Sequence, residues 1–203
     1  MTVPFTRCDY ELCKKSHGVL YKIAHELKTM YNLQEEEFKY QKGQAKKLWN
    51  LAQRYQILEK GAPGVSIYPD IAVNMVKCAM RTEMNEIINN IHTSNEKMRD
   101  AIKLLTPLYG ELDAIVKEID WTADGGMIKG DEMFKPLAYY IQSVSDWRKS
   151  FKRLVTENQV LEDLLDIEFC CTVEAYLSHL DLREGSRDLF AKEMCFVELM
   201  YPK

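Results

Sequence analysis

The stretch PDIAVNMVKCAMRTEMNEIINNIHTSNEKMRDAIKLLTPLYGELDAIVKEIDW, residues 69–121, decides how the rest of the chain is read. From Met84 onward, apolar or small residues recur at alternating spacings of three and four: Met84, Ile87, Ile91, Ser94, Met98, Ala101, Leu105, Leu108, Leu112, Ile115 and Ile119. That is an a/d heptad seam sustained over about five heptads, the pattern of a helix that packs lengthwise on another helix. Val73, Val76 and Met80 extend it upstream, with one step out of alternation between Met80 and Met84. Unbroken, the stretch would span about 75 Å at roughly 1.5 Å per residue. Pro107 objects: it removes a backbone donor and crowds the carbonyl of Lys103, which predicts a kink or break near Thr106. A helix with so narrow a stripe cannot bury it alone, so function is expected to begin with what covers it.

Upstream, Gly61-Ala62-Pro63-Gly64 is the clearest break, and Tyr68-Pro69-Asp70 reads as the start of the central helix. Proline is tolerated in a first turn and an aspartate there complements the helix dipole. Residues 61–68 are therefore expected to be a turn between antiparallel helices. Before it, residues 18–60 carry a second helical pattern through Leu20, Ile23, Leu27, Met30, Phe38, Ala45, Leu48, Ala52 and Tyr55. Gln34 and Gln41 interrupt that seam, Gly43 weakens its middle, and Glu35-Glu36-Glu37 reads as a solvated face. Trp49, flanked by Lys46, Lys47 and Arg54, is read as a large core residue of an amphipathic helix rather than a binding patch. Residues 1–17 lack periodicity and read as an irregular lead-in. Cys8, Cys13 and His17 hint at a metal site, but a closed zinc site needs four ligands and no second pair lies nearby.

Downstream, residues 120–133 form the second break. Asp120, Thr122, Asp124, Gly125 and Asp131 fall at positions 1, 3, 5, 6 and 12 of a calcium-binding helix–loop–helix pattern. Ile128 stands where a polar ligand is usual, and Asp131 is shorter than the bidentate glutamate of that pattern, so a flexible inter-helix loop is the better expectation. A third seam follows in residues 134–167: Leu137, Tyr140, Val144, Trp147, Phe151, Leu154, Asn158, Leu161 and Leu165. Asn158 occupies a seam position, either as a buried amide that fixes register or partner number, or at a wet edge of the seam. Cys170 to Leu180 then reads as a short helix, and Ser186 as the cap of a last one carrying Leu189, Phe190, Met194, Val197 and Met200.

The fold expected is all-α: an elongated antiparallel bundle or coiled coil of three long helices, near 18–60, 70–119 and 134–167. Short C-terminal helices at 170–200 complete one domain of 203 residues. Nine glycines and six prolines are few for this length and agree with helix nearly throughout. A net charge of −4 with interspersed signs gives no global attraction to nucleic acid or anionic membrane. No apolar run has the length of a membrane span. The N-terminus carries Arg7, Asp9, Glu11, Lys14 and Lys15 where a signal peptide needs an apolar core, which predicts a protein of the cytoplasm or nucleus with reduced cysteines.

Residues that carry catalysis are not grouped in the sequence. His17, His25, His92 and His179 lie far apart, outside nucleophile and metal motifs, and Glu-x-x-His spacing is missing. A non-enzymatic protein without cofactor or metal is expected. The most informative patch is Trp147-Arg148-Lys149-Ser150-Phe151-Lys152-Arg153. Trp147 and Phe151 belong to the seam, which leaves Arg148, Lys149, Lys152 and Arg153 on its flanks. Such a face contacts acidic protein surfaces or phosphates, or is simply solvated; on an acidic chain, protein contact is favoured over direct nucleic-acid binding. The candidate partner-binding residues are thus Trp147, Arg148, Lys149, Phe151, Lys152, Arg153 and Asn158.

With these residues in hand, the chain resembles the AIRIM family of AFG-type ATPase-interacting ribosome maturation factors. The resemblance rests on Tyr68-Pro69-Asp70 leading into a long helix, on Leu137-Ala138-Tyr139-Tyr140-Ile141, and on Arg148-Lys149-Ser150-Phe151 with the basic residues after it. It covers roughly residues 30–170. The sibling CINP family, of cyclin-dependent-kinase-interacting proteins, is similar around Ala175-Tyr176-Leu177-Ser178 and the final helix. What the resemblance implies is a helical adaptor that associates with a CINP-like or AIRIM-like sibling subunit and a type II AAA+ ATPase of the Afg class. That assembly acts in cytoplasmic maturation of pre-60S ribosomal particles and in protein turnover on chromatin during replication. The ATPase would bring the nucleotide and magnesium. Two other readings stand beside it: a cytoskeletal or kinetochore-type structural coiled coil that self-assembles through the heptads, and a nucleic-acid-binding helical bundle using residues 148–153.

Overall fold

The computed structural model describes residues 6–61, 64–132, 135–166 and 170–181. They form α1 (Arg7–Glu59), a 3-10 turn (Val65–Ile67), α2 (Asp70–Leu104), α3 (Thr106–Glu118), the single turn α4 (Gly126–Lys129), α5 (Leu137–Asp163) and α6 (Cys170–Asp181). The protein is all-α, with no strand among the described residues. The helix expected at 186–200 lies outside them. Two compact units share these helices: of the described residues, 6–32 and 100–153 form unit 1, and 33–99 and 154–181 form unit 2.

In unit 1, α1 starts well before residue 18 because Thr6 and Asp9 close a capping box. The Asp9 carboxylate accepts from the Thr6 amide at 2.8 Å and its hydroxyl at 2.6 Å, while the Thr6 hydroxyl accepts from the Asp9 amide at 3.2 Å. Those bonds satisfy donors that the first turn leaves orphaned, so the expected irregular lead-in is helical from Arg7. Along α1, Cys13, Leu20, Ile23, Leu27 and Met30 are buried against Leu105, Tyr109, Leu112, Leu137, Tyr140, Val144 and Phe151. Pairs rise together on α1 and α5, His17 beside Tyr140 and Tyr31 edge-on to Phe151, so these two helices run parallel.

The break predicted at Pro107 falls at Leu105. Pro107 sits in the first turn of α3, where its missing N–H costs no helical bond. The chain resumes at once, with the Tyr109 amide donating to the Leu105 carbonyl at 3.1 Å. The interruption shifts the stripe: Tyr109 and Leu112 are buried beyond it, while Leu108 and Ile115 are only half-buried. The loop after α3 differs from the flexible connection expected. Ala123 and Ile128 are buried in the unit 1 core, so apolar side chains anchor it at two points.

In unit 2 the contacts of α1 and α2 run in opposite senses: Glu37 meets Lys97, Gln41 meets Ser94 and Asn95, Tyr55 lies under Arg81, and Glu59 meets Lys77. The two helices are antiparallel, as the turn at 61–68 predicted. Gly61 and Gly64 take positive φ in that turn, which is open only to residues without a Cβ at low strain. α5 is antiparallel to α2, with Asn158 on Asn95 and Glu162 on His92. α6 is antiparallel to α1, with Tyr176 on Gln41, Asp181 on Lys42 and Glu174 on Trp49. Ala45, Leu48, Ala52, Tyr55, Met84, Ile87, Ile91, Val173, Tyr176 and Leu180 form the second core.

Both cores bear on the central seam. From Met84 to Ile119 each of its positions is buried or half-buried by the chain itself. Each fully buried Leu, Ile or Met of that kind contributes about 1.5–3 kcal/mol. The seam from Met84 to Ile119 is thus covered from within the chain, as the expected bundle of three long helices requires.

Candidate functional site

The sequence-derived candidates divide between the units. Trp147, Arg148, Lys149, Phe151, Lys152 and Arg153 lie on the part of α5 that belongs to unit 1, and Asn158 lies in unit 2. Phe151 is buried and Trp147 half-buried, with the rings 6.3 Å apart, and they anchor this length of α5 in the unit 1 core. Lys149, Lys152 and Arg153 are exposed beside them, a cationic edge on a helix whose opposite side is packed.

Arg148 has a different role from its neighbours. Its guanidinium lies 4.4 Å above the Tyr109 ring, a cation–π contact between α5 and α3, and the residue is half-buried. Tyr109 in turn donates its hydroxyl to the Val144 carbonyl at 2.5 Å. Burial holds that phenol above its ordinary pKa, against a smaller opposing pull from Arg148. Lys149 pairs with Asp146 at 3.3 Å, and Gln142 donates to the same carboxylate. The Gln142 amide, followed by Lys149, holds Asp146 below its usual range. Along this edge Arg148 stacks on Tyr109, Lys149 is partly offset by Asp146, and Lys152 and Arg153 are exposed.

Asn158 is fully buried, which excludes the wet edge of the seam. Its amide nitrogen donates to Gln41 Oε1 at 2.8 Å and to Asn95 Oδ1 at 2.7 Å. Gln41 Nε2 donates to the same Asn95 oxygen and to Ser94 Oγ, both at 2.8 Å. Tyr176 donates its hydroxyl to Gln41 Oε1 at 3.1 Å. Burial raises the Tyr176 phenol above its ordinary pKa, opposed by the amides of Asn95 and Asn158, so it stays a donor. Asn95 also donates to the Glu162 carboxylate, whose other oxygen lies 2.6 Å from His92 Nδ1. Four helices meet in this polar layer.

The layer assigns a physical role to residues that looked like defects in the sequence. Gln41 does not interrupt the α1 seam but occupies it, and Glu37 is buried against Lys97 at 2.9 Å rather than on a solvated face. Sliding α5 by one heptad, roughly 10 Å, would pull Asn158 from both partners and leave amides buried without bonds. Each such group costs about 1–3 kcal/mol. Asn158 therefore sets register inside unit 2, where it contacts its own chain. The missed signal was the coincidence of polar seam positions on three helices: Gln41, Ser94 with Asn95, and Asn158.

The remaining candidates are placed as follows. Cys13 is buried and Cys8 exposed on α1, and no group of three metal-ligating side chains gathers among the described residues. Burial and then the Asp9 carboxylate raise the Cys13 thiol, which disfavours the thiolate a metal needs. In the loop after α3, Asp120 accepts from the Thr122 amide and hydroxyl, and Asp124 pairs with Lys129 at 2.7 Å. Ile128, at a ligand position of the calcium pattern, turns into the core. Trp49 is half-buried beside the unit 2 core, with its indole N–H 3.1 Å from Glu174. No helix among the described residues is long and apolar enough to cross a membrane. No protein-family model matches the chain, and no curated protein sequence matches it.

Proposed function

We propose that this chain is a non-enzymatic helical adaptor subunit of a type II AAA+ ATPase assembly of the Afg class. In this reading it works in the cytoplasm and nucleus with a CINP-like or AIRIM-like sibling subunit. The assembly serves maturation of pre-60S ribosomal particles and protein turnover on chromatin during replication. The ATPase and the sibling come from the resemblance at residues 68–70, 137–141 and 148–151. The observation that supports a docking role is the exposed edge Lys149, Lys152 and Arg153, held by the buried Phe151 and half-buried Trp147 on a chain of net charge −4. Cations fixed on a packed helix suit an acidic protein surface, where charge complementarity sets specificity and association rate.

The test is Lys152→Glu combined with Arg153→Glu. It leaves the Arg148–Tyr109 stack and the Asp146–Lys149 pair in place. Binding of the purified chain to the purified sibling subunit and to the ATPase is measured by calorimetry, with melting followed by circular dichroism. The double variant is expected to melt like the wild type and to lose most of its association. Added salt should mimic part of that loss, since exposed charges are screened beyond about 10 Å at 0.1 M. Undiminished binding by a folded double variant would contradict the proposal. RNA binding lost in its place would favour the nucleic-acid reading.

A further inference from the structure

The α1–α2 turn of unit 2 carries a surface that the cationic edge of α5 does not explain. Residues 61–80 contain two charged side chains, Asp70 and Lys77, in twenty positions, where the chain average of 29% would place about six. Large apolar side chains are exposed there: Ile67 at 77%, Ile71 at 76% and Met75 at 70% of their full surface, joined by Tyr68, Val76 and, from α1, Ile57. On α2, Ile71, Met75 and Cys78 follow helical spacing along one exposed face, with Ala72 and Ala79 beside them. Side chains so small let another backbone come close. Depletion of charge together with exposed Met, Tyr and Ile is the composition of an interface centre rather than of a solvated helix.

The rim identifies the partner. Between residues 54 and 81 the cations are Arg54, Lys60, Lys77 and Arg81 and the anions Glu59 and Asp70, a balance of +2 on a chain of net −4. An open cleft of about 310 Å³ lies within this region, lined by Tyr55, Gln56, Glu59, Lys60 and Arg81. It holds one carboxylate, which Lys77 engages at 3.2 Å, and two cations, of which Arg81 also lies over the Tyr55 ring, so the local charge stays positive. We infer that this turn is a docking site for an amphipathic helix of a partner protein, with its apolar stripe on Ile67, Ile71 and Met75. Acidic residues flank that stripe, and one of them enters the Lys60–Arg81 cleft. A second copy of the same turn would bring like charges together, which opposes self-pairing here. The inference stands apart from the proposed role of α5, since it concerns other residues in the other unit.

The probe is a phage-displayed library of amphipathic helices with randomised flanking positions, selected on the full-length chain. Selected peptides should carry Asp and Glu at the flanks and bind the wild type. They should weaken at least about tenfold on Ile71→Ser combined with Met75→Ser, and also on Lys60→Glu. Because these side chains are exposed, the variants should melt at the wild-type temperature. Vesicles of phosphatidylcholine with phosphatidylserine, and light scattering of the chain alone, complete the comparison. Peptides with basic or random flanks, or binding that ignores all three substitutions, would overturn the inference. So would wild-type binding to the vesicles, or a self-association, that the Ile71→Ser and Met75→Ser changes abolish.

Discussion

Replacing Asn158 by leucine and Gln41 by methionine should have unequal consequences, although both side chains are buried amides of one layer. Asn158 donates to Gln41 and Asn95, but each acceptor has a second donor: Tyr176 for Gln41 Oε1 and Gln41 Nε2 for Asn95 Oδ1. Its own Oδ1 is buried and has no hydrogen-bond partner among the described residues. Asn158→Leu thus removes two bonds worth about 1 kcal/mol each, but it also removes an unsatisfied carbonyl costing about 1–3 kcal/mol and adds apolar burial. The sum is within about 1 kcal/mol of neutral. Gln41→Met removes four bonds and leaves the Tyr176 hydroxyl without its acceptor. That costs about 2–4 kcal/mol, or a fall of roughly 4–16 °C in Tm at about 2–4 °C per kcal/mol for a chain of this length. Thermal and urea unfolding followed by far-UV circular dichroism measure both. Equal destabilisation by the two variants, or a larger loss for Asn158→Leu, would refute the bond accounting of the layer.

Tyr109→Phe removes the hydroxyl that reaches the Val144 carbonyl but keeps the ring under Arg148. It should lower stability by about 1 kcal/mol, measured by urea titration, whereas Tyr109→Leu should cost more by losing the cation–π contact as well. His17 is held below its ordinary value of 6.5 by burial. Its sign follows: above 6.5 both states are neutral there, and as pH falls below it the unfolded chain takes up the proton first. Stability therefore falls towards acid, until the lowered value is passed. The Tm of the wild type should drop more between about pH 7 and 5 than that of His17→Gln, and equal slopes would remove His17 from the account.

The helical class and the turn at 61–68 were legible because periodicity and Gly-Pro punctuation are local signals. The break beside Pro107 was legible for the same reason, since a ring without an N–H acts on its own helix. The start of α1 was written locally as well, in Thr6-Arg7-Cys8-Asp9, but the short run before an aperiodic stretch hid it. The stripe alone does not say what covers the central seam. A heptad stripe has the same spacing whether a second molecule or the same chain lies on it, and here α1, α5 and α6 supply the cover. Arg148 illustrates the limit at the candidate site: it reads as one of four flank cations, yet Tyr109, distant in sequence, draws it into a packing role. Gln41 reads as a break in the α1 seam for a related reason, and the two readings of Asn158 stay open in the sequence. One amide on one helix is a defect, and only the register between helices turns Gln41, Asn95 and Asn158 into partners.

The central claim is that the heptad seams are satisfied within one chain, which leaves the exposed surfaces for other proteins. Light scattering coupled to size exclusion on the purified full-length chain tests it most directly. The account predicts the mass of a single chain, 23.7 kDa, unchanged by dilution through the micromolar range. A stable homo-oligomer that dissociates when Ile91 or Leu112 is replaced would contradict it, because those seam residues would then be holding copies together.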